Sequence, residues 1–191
     1  MNKLIDILRL YVAIPDELVN QISLVAKHKH YEKNEYIFTP DAVCNDILIM
    51  TKGLVRCFYV YDDKEINLRL LCENSAVIAY SSYIQQVKSE EFIQAIEPCE
   101  GYLFSRRNIE NLSESISAIN QLILQAAQLH YISMERRLLT IQYKTAKERF
   151  SYFKNEVEPS IVERTPAIHI ASYLGMTPES LSRAKRNLTK C

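Results

Sequence analysis

Seven polar residues crowd one short stretch near the end of the chain: Thr177, Glu179, Ser180, Ser182, Arg183, Lys185 and Arg186. Together they have the chemistry of a surface that reads nucleic acid. Arg183 can donate two parallel hydrogen bonds to guanine O6 and N7, and Glu179 can accept from the cytosine N4 amine. Thr177 and Ser180 stand where a helix would begin and suit phosphate oxygens, as do the free backbone amides there. Ser182 falls on the same outward side. Lys185, Arg186 and, further on, Lys190 add attraction to a phosphate backbone whatever its sequence. Such a set implies double-stranded DNA as a partner.

Residues of this kind read bases only if a helix presents them. In "IASYLGMTPESLSRAKR", residues 170–186, Ile170, Leu174 and Met176 are apolar around a small Ala171, and Leu181, Ala184 and Leu188 recur at three- and four-residue spacing. That is one buried face on each of two short helices. Gly175 falls where the first must stop, in a position suited to the left-handed backbone that glycine adopts without steric cost. Thr177 can then cap a second helix, with Pro178 and Glu179 in its first turn. A small residue, glycine four later and an apolar residue six beyond is helix-turn-helix spacing. An ordinary helical hairpin with a solvated, charged face is the plainer alternative.

The charge balance is weakly in favour of DNA. The chain has 23 basic and 23 acidic residues, yet from Arg164 onward five basic residues stand against Glu179 alone. A neutral chain with one basic end suits a regulator better than a protein that coats nucleic acid. Composition also excludes classes. Only three glycines occur, and there is no phosphate-binding loop, no dinucleotide fingerprint and no nucleophile elbow. Five cysteines, Cys44, Cys57, Cys72, Cys99 and Cys191, are scattered without a close pair, which argues against disulfides and against a sequence-local metal site. His28 and His30, placed on a helix, fall on different faces, while His130 and His169 are isolated. No catalytic constellation, metal or cofactor is expected. The amphipathic N-terminus is no signal peptide and no apolar run is long enough to span a bilayer, so the expected location is cytoplasmic, with no membrane partner.

Two short helices are expected at residues 3–12 and 16–28, with Asp16 as cap near the second start. From Tyr36 the pattern changes. "YIF", "DILIMT", "LVRCFYVY", "EINLRLLC", "FIQAIE" and "GYLFS" are short β-type segments punctuated by turn residues, which predicts a small antiparallel barrel or jelly roll. Lys52-Gly53 and Asp62-Asp63 look like hairpin turns between consecutive strands. After Ser105 the β signals cease. Residues 115–137 form a long apolar helix with a stripe of Ile116, Ile119, Ile123, Ala126 and His130, widened by Leu122, Leu129 and Ile132. That stripe is expected to pair with its own copy in a homodimer. A second helix is expected over residues 135–157, then a hinge-like segment between Pro159 and Pro166.

In this order of elements the chain resembles the Crp/Fnr family of bacterial transcription regulators. "MTKGLVRCFYV" resembles the family's barrel hairpin and "IASYLGMTPESLSRAKR" its DNA-reading motif. The resemblance implies an α+β chain. Residues 1–113 would be a cyclic-nucleotide-binding-like sensor domain, 114–137 a dimerisation helix and 138–191 a helix-turn-helix domain. It implies that Glu179 and Arg183 contact bases, that Thr177 and Ser180 lie near phosphates, and that RNA polymerase is a partner.

Three departures qualify it. Members that bind cyclic AMP have a Gly-Glu pair about ten residues before an Arg-Ser pair. Here Lys88-Ser89 is the counterpart of the second pair, and Val77 and Ile78 stand where glycine and glutamate would. Lysine does not replace a bidentate arginine on a phosphate, so a response to cyclic AMP is not expected. An effector of another kind would meet Val77, Ile78, Tyr80, Ser82, Lys88 and Ser89. Tyr59, Tyr80 and Tyr83 are pocket candidates, although tyrosines also fill cores. The clustered N-terminal cysteines of the redox-sensing branch are absent, and no β-hairpin wing is expected after the last helix. The competing function is a ligand-sensing or protein-interaction module with a degenerate helix-turn-helix. A cupin-like enzyme would need histidine ligands on its strands, and His28 and His30 precede the expected barrel.

Overall fold

The computed structural model describes residues 1–188, so Lys190 and Cys191 lie outside the described residues. Helices α1 (Asn2–Arg9) and α2 (Asp16–Val25) lead in. Pro15, not Asp16, is the N-cap of α2; Asp16 is its first helical residue and pairs with Arg9 at 3.2 Å. The helix also stops short of residue 28, because "KHKHY" is strand β1 (Lys27–Tyr31). This strand is exposed along most of its length and is held by pairing rather than by an apolar face. His28 and His30 therefore share one side of a strand, two residues apart, and do lie in the β region.

Strands β2 (Tyr36–Phe38), β3 (Asp46–Lys52), β4 (Val55–Tyr61), β5 (Lys64–Leu71), β6 (Ala76–Val77), β7 (Phe92–Ala95) and β8 (Cys99–Ser105) complete two antiparallel sheets. Their orders are β1-β8-β3-β6 and β2-β7-β4-β5. Of the expected barrel or jelly roll the structure forms the second, an open pair of sheets. Between them Leu48, Met50, Val77 and Cys99 of one sheet meet Val55, Cys57, Ile93 and Ala95 of the other. Full burial of a side chain such as Leu48 or Ile93 contributes about 1.5–3 kcal/mol.

Asp62-Asp63 is the expected two-residue hairpin. Tyr61 pairs with Lys64, and both aspartates have positive φ, 50° and 55°, the signature of a type I′ turn. Lys52-Gly53 is not a hairpin. It carries the chain from the first sheet to the second, since β3 pairs with β8 and β6 while β4 pairs with β5 and β7. Gly53 turns there with φ 102°, and a Cβ would stand 2.5 Å from Cys99 Sγ.

Helix α3 (Tyr80–Gln85) fills the link between β6 and β7, and α4 (Arg106–Ser115) follows β8, capped by Ser105. Helix α5 (Ser117–Tyr143) is 27 residues long and runs beyond the expected end at residue 137. The break before α6 (Ala146–Glu156) falls at Lys144 and Thr145. There Thr145 and Glu148 form a reciprocal capping box, a stronger start signal than anything near residue 135. The segment expected as a hinge is a helix, α7 (Pro159–Arg164), opened by Pro159. Helices α8 (Ala167–Tyr173) and α9 (Pro178–Leu188) end the described chain. No described helix is long and apolar enough to cross a membrane.

Candidate nucleic-acid interface

The turn between α8 and α9 forms as its residues dictate. Gly175 takes φ 62°, and the amides of Gly175 and Met176 donate to the carbonyls of Ser172 and Ala171 at 3.1 and 3.0 Å. This pair closes α8 as a Schellman motif. Thr177 Oγ1 accepts from the Ser180 amide at 3.2 Å, the cap expected for α9. Ile170, Ala171, Leu174, Leu181 and Ala184 are buried with Phe150 and Phe153 of α6 and Ile161 of α7.

That packing fixes what α9 presents. Thr177, Glu179, Ser182, Arg183 and Arg186 are exposed, whereas Ser180 and Lys185 are partly covered. Arg183 Nη2 donates to Ser180 Oγ at 3.0 Å, so the arginine that would reach a base is tethered to the first turn of its own helix. The Glu179 carboxyl is held below the usual carboxylate range, first by its own backbone amide and then by the Thr177 hydroxyl. It is an acceptor at neutral pH. Lys185 extends over the Phe150 ring, 5.5 Å from its centroid, and so takes part in seating α9 on α6. Arg164, counted above among the basic residues of this end, makes a two-pronged pair with Glu73, at 2.6 and 3.1 Å, and another with Glu97. Its charge is spent inside the protein.

Contacts from Ser172, Arg137 and Arg149 seat the helix-turn-helix on the rest of the chain, and none was evident in the sequence. Ser172 Oγ accepts from the Asn67 amide at 2.9 Å and donates to the Glu65 carbonyl at 2.8 Å, which bonds α8 to strand β5. Arg137 Nη2 on α5 donates to the carbonyls of Asn67 and Tyr173, at 2.9 and 3.2 Å. Arg149 on α6 donates to Ile141, Lys144, Leu174 and Gly175 carbonyls, joining the end of α5 to the turn. A serine or arginine in an amphipathic helix carries no mark of such a role; only the fold brings its partners close.

The residues expected for an effector do not all converge. Val77 lies in the core between the sheets, and Ser82 Oγ accepts from the Cys44 amide while donating to the Val87 carbonyl. Lys88 is exposed, and Ser89 Oγ accepts from the Glu91 amide. Ile78 and Tyr80, with Tyr83, line a cavity of about 370 Å³ between the sheets and α5; Tyr59 does not. On α5 the expected dimer stripe turns partly inward. Ile119 is buried with the lead-in helices, Ile116 packs against that cluster and His130 stacks on Tyr80 at 4.7 Å. Ile123 and Ala126 stay exposed. Besides Ile123, the large apolar residues left outside are Leu129 and, seven apart, Leu124, Tyr131 and Leu138, with Ile132 and Leu139 beside them.

Residues 28–115 match the cyclic nucleotide-binding domain family. Among solved structures, FixK2 from Bradyrhizobium japonicum is similar with a TM-score of 0.73 and 20% identity, over 87% of this chain and 85% of that one. The c-di-GMP responsive global regulator CLP of Xanthomonas campestris has a TM-score of 0.70 and 18% identity, over 90% of each chain. A protein of the Crp/Fnr family from Eubacterium rectale has a TM-score of 0.70 and 18% identity, over 92% of this chain and 84% of that one. No curated protein matches the sequence. Residues 28–115 are thus similar to a cyclic nucleotide-binding domain, and the chain has the fold seen in solved Crp/Fnr-type structures.

Proposed function

We propose that this protein is a sequence-specific DNA-binding transcription regulator and not an enzyme. The observation that carries this reading is the outer face of α9. Glu179 and Arg183 stand one helical turn apart and exposed, while Leu181 and Ala184 hold the helix down from the other side. A helix so seated enters a major groove with Arg183 and Glu179 toward base edges, and with Thr177, Ser180 and Arg186 near the phosphates.

The active form is a homodimer joined along α5, chiefly through Ile123, Leu124, Tyr131, Ile132, Leu138 and Leu139. Two copies of α9 then meet successive major grooves of a two-fold-symmetric site, roughly 34 Å apart. Cyclic AMP is not the effector, because the groups that would hold its ribose and phosphate are Val77, Ile78 and Lys88. RNA polymerase is a partner by likeness to the family. Selection of bound duplexes from a random pool tests the reading. The purified protein enriches a two-fold-symmetric site and Arg183→Ala loses it; a pool that stays random for both refutes it.

A further inference from the structure

Three of the links that carry the chain between its two sheets meet at one end of the sandwich. Gly53 lies between β3 and β4, Glu73 between β5 and β6, and Glu97 between β7 and β8. The Gly53 amide donates to Glu73 Oε1 at 2.8 Å, and the Ile96 amide donates to the Leu54 carbonyl at 2.8 Å. Arg164, the last residue of α7, closes this meeting point. Its Nη2 and Nη1 donate to the two Glu73 oxygens at 2.6 and 3.1 Å, and Nη1 donates to Glu97 as well. Nε donates to the Ser160 carbonyl at 3.0 Å, one turn back along α7, which holds the fork in place.

Beneath these polar contacts runs an apolar one. Leu54, Cys72 and Ile96 are the chain neighbours of Gly53, Glu73 and Glu97, and all three are buried in one cluster with Phe153, Ile161 and Leu181. Each link thus sends one side chain into the core of the helix-turn-helix. An isolated surface ion pair contributes little, but this one is two-pronged on Glu73, and its three side chains are only 27–29% exposed. Both carboxylates accept from the same Nη1, so loss of Arg164 would leave two like charges side by side. The segment between Pro159 and Pro166, which reads as a hinge in the sequence, is therefore where the helix-turn-helix is fastened.

We propose that Arg164 is a positioning residue for DNA reading: it locks the helix-turn-helix to the sheets of its own chain. Each protomer then moves as one body, and α9 keeps one fixed distance from the partner's α9. The dimer accepts only one spacing between half-sites. This rests on the reading of the chain as a dimeric DNA-binding regulator.

Two measurements on the full chain test the lock, with Arg164→Met and Glu73→Gln alongside. Glu73→Gln removes the charge but keeps an acceptor for the Gly53 amide. In hydrogen exchange without DNA, the amides of α7 and α8 exchange at least about tenfold faster in both variants, while β3 and β8 are unchanged. In the second measurement, the selected half-sites are presented at their own spacing and with one base pair added or removed. One base pair turns the second half-site by about a tenth of a helical turn. The unmutated protein loses at least about tenfold on the altered duplexes, whereas each variant binds all three within about threefold. Unchanged exchange in both variants overturns the proposal, as does a shallow spacing penalty in the unmutated protein. A penalty as steep in the variants, which an equal loss on every duplex would give, marks Arg164 as merely structural and overturns it too. Exchange needs no DNA, so it judges the lock even where duplex selection leaves a random pool. A selected site with unchanged exchange leaves DNA reading standing and removes the lock.

Discussion

Arg149 on α6 donates from Nη1 to the carbonyls of Gly175 and its neighbour Leu174, both at 3.1 Å, while Nη2 holds Ile141 and Nε holds Lys144. One guanidinium thus fastens the turn of the helix-turn-helix to the C-terminal carbonyls of the long helix, where the helix dipole favours a positive charge. Arg149→Met should destabilise the protein by about 1.5–3 kcal/mol, the range for hydrogen bonds made by a charged group. A urea denaturation curve with an unchanged midpoint contradicts the assignment.

Gly175 itself is needed for its backbone, not for lack of room. An added Cβ would meet Arg149 Nη1 at 3.4 Å and Ile141 Cγ2 at 3.8 Å, but at φ 62°. Gly175→Ala should therefore cost about 1–2 kcal/mol, the penalty of a side chain in left-handed backbone. Gly175→Asn should cost less, because Asn tolerates that conformation better. Equal midpoints for the two variants refute this account.

Acid should loosen α8 from the sheets. His169 Nδ1 lies 3.3 Å from Arg56 Nη1, and Arg56 is itself clamped by Glu65 and Gln94. Burial first, and then Arg56, holds the imidazole below its ordinary value of 6.5. Glu65 opposes that shift and is held below its own usual range, chiefly by the hydrogen bond from Arg56. A depressed histidine contributes stability that is complete above 6.5 and declines as pH falls below it. Hydrogen exchange at α8, corrected for intrinsic rates, should show less protection at about pH 5.5 than at about pH 7.5. His169→Gln should flatten that difference; an undiminished difference in the variant counts against His169.

The α5 seam carries its own prediction. Leu124 and Leu138 are 58% and 55% exposed on the isolated chain. Leu124→Glu with Leu138→Glu places like charges across a two-fold axis. Sedimentation should then report half the mass of the unmutated protein, whereas equal masses for the two remove the proposed interface.

The helix-turn-helix was legible in the sequence because its signals are local: Ala171, Gly175, Thr177 and Leu181 each fix one turn or one contact within a few residues. The same holds for Asp62-Asp63, whose turn type needs only its own two residues. Strand β1 was not legible, since "KHKHY" has no apolar alternation and exists only because β8 offers it hydrogen bonds. Gly53 read as a hairpin because a sheet change and a hairpin use the same residue. The stripe of Ile119 and His130 read as an outer face, since periodicity reports that a face is covered, not by what. Arg69 and Glu91 lie 22 residues apart, and no spacing rule joins a cation on one strand to a carboxylate beside another.

Binding of the selected duplex and of a scrambled duplex, at one fixed salt concentration, tests the central claim most directly with Arg183→Ala and Arg186→Ala alongside. Arg183→Ala should lose about 1–3 kcal/mol on the selected site alone, and Arg186→Ala should weaken both duplexes alike. If the two variants lose the same affinity on both duplexes, α9 does not read sequence.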